Sequence, residues 1–104
     1  MVRAWVENQA IPPLRQFMLE SLQKRLPEEL RLILAAVADG DLEQLAFVSH
    51  RVKGWTGTYG MMELSELAGE IERLANAGDL GAAGESAHEL ERVIGLIPQE
   101  YLQA

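Results

Sequence analysis

Asp39-Gly40-Asp41-Leu42-Glu43-Gln44-Leu45-Ala46-Phe47-Val48-Ser49-His50-Arg51-Val52-Lys53-Gly54-Trp55-Thr56-Gly57-Thr58-Tyr59-Gly60 is the stretch whose reading decides the fold. Its first three residues are punctuation: glycine ends a helix, and an aspartate oxygen caps the free amides of the next one. Behind them Leu42, Leu45, Ser49, Val52, Thr56 and Tyr59 recur at spacings of three and four, which predicts one helix from Leu42 to near Gly60.

The same periodicity extends in both directions. Toward the N-terminus, Pro12 and Pro13 suit a first helical turn, and Leu14, Phe17, Met18, Ser21 and Leu22 predict a helix over about 13–25. Pro27 either kinks that helix or starts a new one, and Leu30, Ile33, Leu34 and Val37 carry the stripe on to Ala38. Toward the C-terminus, Leu64, Leu67, Ala68, Ile71, Leu74 and Ala75 form a stripe that stops at Asn76-Ala77-Gly78-Asp79. Another follows through Leu80, Ala83, Ala87, Leu90, Ile94, Ile97 and Tyr101. No segment alternates with period two. Amphipathic segments joined by short loops pack as antiparallel neighbours. The expected fold is all-α, an up-down-up-down four-helix bundle with a kinked or split N-terminal helix. It is read as one domain over 1–104, with its core bundle over about 12–103.

Composition narrows the function. With 104 residues, 48% hydrophobic and 24% charged, the chain can bury one core but not two. Zero cysteines exclude disulfides, thiolate metal sites and thiol nucleophiles. The longest apolar run, Leu32 to Ala38, is far short of the ~20 residues that span a bilayer. The charged start of the chain does not read as a secretion signal, so the cytoplasm is the expected location, with no membrane partner.

Net charge is −7, which opposes nucleic acid as a partner. The charge is unevenly spread. Residues 63–104 carry nine acidic and two basic side chains, whereas residues 44–62 hold only Arg51 and Lys53 and no acid. A basic window inside an acidic protein suggests an anionic partner surface.

That window contains the chemistry. On a helical projection the core face of this helix lies about 130° away from His50, so the imidazole points to solvent in mid-helix. It shares its stripe with Ala46, Lys53, Gly54 and Gly57. Two glycines inside a helix cost about 1 kcal/mol each relative to alanine, which calls for a compensating use. Gly54, one turn beyond His50, leaves the imidazole uncovered. Lys53, at i+3, can bring its ammonium to whatever His50 carries. An exposed imidazole is substantially neutral at pH 7 and is a competent nucleophile, and a phosphoryl group on it would add about two negative charges.

The run His50-Arg51-Val52-Lys53-Gly54, with Gly60 six residues further on, resembles the signature of histidine-phosphotransfer (HPt) domains, His-x-Leu-Lys-Gly followed by Gly. The preceding Gly-Asp-Leu-Glu, the following Glu-Leu-Ser-Glu-Leu-Ala and the Ala-Gly-Asp turn also fall where that family has similar residues. Val52 replaces the usual Leu, and Trp55 stands where a small residue is common. The resemblance implies that His50 accepts a phosphoryl group, through Nε2, from the aspartyl phosphate of a receiver domain and passes it to another receiver. It implies that Lys53 supports the phosphohistidine and that Gly54 provides clearance. It also implies a phosphocarrier without ATP-dependent kinase activity and without a cofactor of its own, Mg²⁺ being expected on the partner. The implied partners are receiver domains of response regulators or hybrid sensor kinases. Phe47 projects outward one turn before His50, and with Ala46, Arg51, Gly54 and Gly57 it is expected to form the docking surface. Arg51 and Lys53 would face acids of the receiver, and the chain is expected to be a monomer.

Blander readings stand beside these. A surface His is usually only that, and His88, among Glu85, Glu89 and Glu91, is read so, with no metal site assigned. Met61 and Met62 read as a helix start and core filler. Glu70 and Glu72, two apart on a helix, point in different directions and read as a solvated acidic face. The competing function is a phosphorylation-independent helical docking module for a receiver or sensor kinase.

Overall fold

A computed structural model describes residues 12–97. Among the described residues four helices follow one another: α1 (Pro12–Asp39), α2 (Leu42–Thr58), α3 (Met62–Asn76) and α4 (Leu80–Gly95). Each packs against two neighbours, α1 on α2 and α4, and α3 on α2 and α4, which makes the closed ring of a four-helix bundle. The all-α expectation holds. Tyr101 and the end of the expected core, 98–103, lie outside the described residues.

Of the two readings at Pro27, the structure excludes the split. α1 runs through it without interruption, with Pro27 on the exposed side and Leu22, Leu26 and Ile33 buried on the other. Tertiary packing on both sides of the proline outweighs the single hydrogen bond that it cannot make.

The three connections are as short as the punctuation predicts. Gly40 turns the chain at φ 68°, and the Asp41 carboxylate then accepts from the Gln44 amide at 3.0 Å. Gly60 does the same at φ 76° between α2 and α3, without a side-chain cap on Met61. Asp79 caps α4 by accepting from Ala82 N at 3.0 Å. α4 ends at Gly95, before the full length of its apolar stripe, yet Ile97 in the turn beyond is still buried.

Met18, Leu22, Leu26, Ile33, Leu45, Val48, Val52, Leu64, Ile71 and Leu90 are all but removed from water and form one continuous core with the buried alanines of α3 and α4. Each such aliphatic side chain contributes about 1.5–3 kcal/mol on burial. One expectation needs correction: Phe17 sits on the apolar stripe of α1 but is 60% exposed. Met61 and Met62 behave as read, Met62 opening α3 and Met61 filling the core.

Candidate functional site

Whatever α2 presents is set by the register of its hairpin with α3. Both helices rise equally per residue, so residues equidistant from the turn face one another. Counted from Met61, Gly57 and Ser65 are each four residues away, Lys53 and Gly69 eight, and His50 and Glu72 eleven. All three pairs meet. A Cβ on Gly57 would lie 3.1 Å from the Ser65 hydroxyl, and one on Gly69 would lie 3.4 Å from Lys53 Cδ. His50 Nδ1 lies 2.8 Å from Glu72 Oε2.

The last contact defines the chemistry. A carboxylate offers only acceptors, so His50 Nδ1 carries the hydrogen and donates it to Glu72. In the neutral imidazole the proton-free nitrogen is then Nε2, whose lone pair is left for attack. The imidazole is 73% exposed while Glu72 is 20% exposed, which makes Glu72 a firm base under an accessible ring. Lys53 Nζ stands 3.8 Å from the other carboxylate oxygen of Glu72. That distance is an ion pair without a tight hydrogen bond, and Lys53 is 52% exposed, so its ammonium is free to turn to a new anion. Gly54 has nothing within 4 Å of the position where a Cβ would stand, so the flank of the ring is open.

The remaining residues of the expected docking surface divide. Phe47 is 61% exposed and lines a shallow concavity with Asp41, Glu43 and Gln44. Ala46 is half-buried and packs against the core. Gly57 departs from the expected open stripe, because Ser65 fills the space beside it and also donates to the Lys53 carbonyl at 3.0 Å. Arg51 is turned inward. It donates twice to Glu29 of α1, Nε at 2.9 Å and Nη2 at 2.6 Å, and its Cζ lies 5.4 Å from the centre of the Phe47 ring. The hydrogen bonds to Glu29 push the guanidinium pKa above its ordinary value against an opposing effect of burial. Arg51 is therefore occupied within the fold rather than open toward an acid of a partner.

Trp55, the unusual residue of the motif, is buried on the side toward α1. The Arg25 guanidinium lies 4.7 Å from its ring centre, and Tyr59 meets it edge-on at 6.4 Å. It leaves the exposed side of α2 undisturbed.

Glu72 is the residue that reading along the chain missed. Taken as part of a solvated acidic face, it is half-buried between His50 and Lys53. Its neighbour Glu70 does behave as read: Arg73 holds it at 2.5 Å and lowers its pKa. The signal for Glu72 was its equal distance with His50 from the turn. His88 pairs at the surface with Glu91 at 3.4 Å. Among the described residues no cluster of three or more His, Asp or Glu could hold a metal, and no helix is long and apolar enough to cross a membrane.

Compared with known families, residues 18–100 match the family model described as Hpt domain. No curated protein and no solved structure gives a match.

Proposed function

The chain belongs to the Hpt domain family, whose members are histidine phosphocarriers, and from that premise we propose that His50 is the phosphorylated residue of a relay between receiver domains. The observation that carries this reading is the 2.8 Å contact from His50 Nδ1 to Glu72. In the neutral ring it selects the tautomer whose free lone pair is on Nε2, on an imidazole that is mostly exposed.

In the proposed step the Nε2 lone pair attacks the phosphorus of a receiver aspartyl phosphate. The N–P bond forms as the bond from phosphorus to the aspartate oxygen breaks, and the aspartate leaves with that electron pair as a carboxylate. No proton has to move. The ring becomes cationic as Nε2 gives up its lone pair, and the Glu72 carboxylate at Nδ1–H meets that charge. Lys53, held only loosely, turns toward the phosphoryl oxygens. Transfer to the next receiver is the same step in reverse, with a receiver aspartate as the nucleophile. Mg²⁺ is assigned to the receiver. The chain itself contributes a nucleophile, a positioned proton and one mobile cation, which suits a carrier without ATP-dependent kinase activity.

The test is incubation with a receiver freshly phosphorylated on its aspartate, in Mg²⁺, following label on wild type and on His50→Gln. Acid-labile, alkali-stable label on the wild type alone is the expected result. Unlabelled protein that binds a receiver equally well in both forms overturns it in favour of a phosphorylation-independent docking module.

A further inference from the structure

Gly69 is hard to account for on local grounds. It stands in the middle of the 15-residue helix α3, where glycine is among the poorest helix formers, and its backbone has no positive φ to require it. Its neighbour across the helix pair supplies a reason. The stem of Lys53 runs over the Gly69 Cα: a Cβ there would lie 3.4 Å from Lys53 Cδ, 3.6 Å from Cε and 4.0 Å from Cγ. Ser65, one turn earlier on the same face, donates to the Lys53 carbonyl at 3.0 Å and so holds the backbone from which that stem starts. Glu72, three residues beyond Gly69, stands 3.8 Å from the ammonium at the other end.

We infer that Gly69 is a positioning residue for the phosphotransfer reaction, a groove in α3 that lays the Lys53 stem flat and so delivers its ammonium beside His50. The inference rests on the phosphocarrier reading above. A long, flexible side chain reaches many places, and one resting in a groove between a fixed backbone and a fixed carboxylate reaches few. The groove confers aim without a polar contact of its own.

The groove tolerates one carbon and no more. A Cβ at 3.4 Å is ordinary contact, so Gly69→Ala retains the stem in place. The two γ-carbons of valine extend about 1.5 Å further and cannot both turn away on so stiff a side chain, so Gly69→Val lifts it.

The experiment compares initial rates of label transfer from a phosphorylated receiver to the full chain as wild type, Gly69→Ala, Gly69→Val, Lys53→Ala and the Gly69→Val, Lys53→Ala double variant, with helicity checked by circular dichroism. The expected result is Gly69→Ala within about twofold of wild type, and Gly69→Val and Lys53→Ala each slower by about tenfold. The double variant should be no slower than Lys53→Ala alone. Gly69→Val transferring like wild type, or its loss multiplying that of Lys53→Ala, overturns the inference, since the second pattern is what a purely structural role produces. A wild type that takes no label from any receiver overturns the phosphocarrier reading itself, and this inference with it.

Discussion

Two cations leave α2 only two residues apart, and each meets a carboxylate 22 residues or fewer away on a neighbouring helix. Arg51 reaches back to Glu29 on α1, and Lys53 reaches forward to Glu72 on α3. Arg51 donates twice at hydrogen-bond distance to a carboxylate only 8% exposed, while Lys53 stays 3.8 Å from one that already accepts from His50. The first pair is closed on itself and serves the fold. The second is open, and its cation can leave for a better anion. Opposite charge across a helix pair thus has two uses, and geometry and burial, rather than residue type, tell them apart.

The contrast breaks most visibly at Arg51. Arg51→Ala leaves the Glu29 carboxylate buried without a partner. The expected loss of stability is about 2 kcal/mol, less than for a fully buried pair because Arg51 is itself 39% exposed, and thermal melting should fall by roughly 10 °C. Lys53→Ala is its mirror: melting should move by no more than a degree or two, while label transfer to His50 slows by about tenfold. Glu72→Ala tests the shared carboxylate. Without it the hydrogen is free to sit on either ring nitrogen, so the ¹⁵N shifts of His50 should change from a single Nδ1–H form to a mixture, and transfer should slow by about fivefold.

The smallest effects sharpen the same comparison among glycines. Gly54→Ala enters open space and should raise stability by about 1 kcal/mol through helix propensity, measured by urea unfolding, while crowding the approach to His50. Gly57→Ala has the same propensity gain but must displace the Ser65 hydroxyl at 3.1 Å, so its net change should be close to zero.

The fold was legible because the information lies in local patterns. Asp39-Gly40-Asp41 and the i, i+3, i+4 stripes mark helix ends and core faces within a few residues, and short turns then leave little choice of topology. The exposure of His50 and the clearance at Gly54 were readable from a single helix by projection. What projection could not supply was anything that depends on a second helix: Glu72 under the imidazole, Glu29 holding Arg51, Ser65 against Gly57. Each of these is a pair between elements, and a periodic pattern states which side of a helix is apolar without stating what stands opposite its polar edge. Pro27 was undecidable for a related reason, since local sterics and the packing of Leu22, Leu26 and Ile33 oppose each other there.

The equal spacing of His50 and Glu72 from Met61 makes their contact depend on the length of chain between them. One residue gained or lost between them turns Glu72 about 100° around α3 and shifts it 1.5 Å along the axis, which parts the carboxylate from the imidazole while every side chain named here is still encoded. A full turn added to one arm fails as well, by about 5.4 Å. Only changes that lengthen both arms together by about a whole turn, or fall outside residues 50–72, leave the pair in register. Substitutions in this hairpin are weighed one side chain at a time, whereas insertions and deletions are filtered by arithmetic.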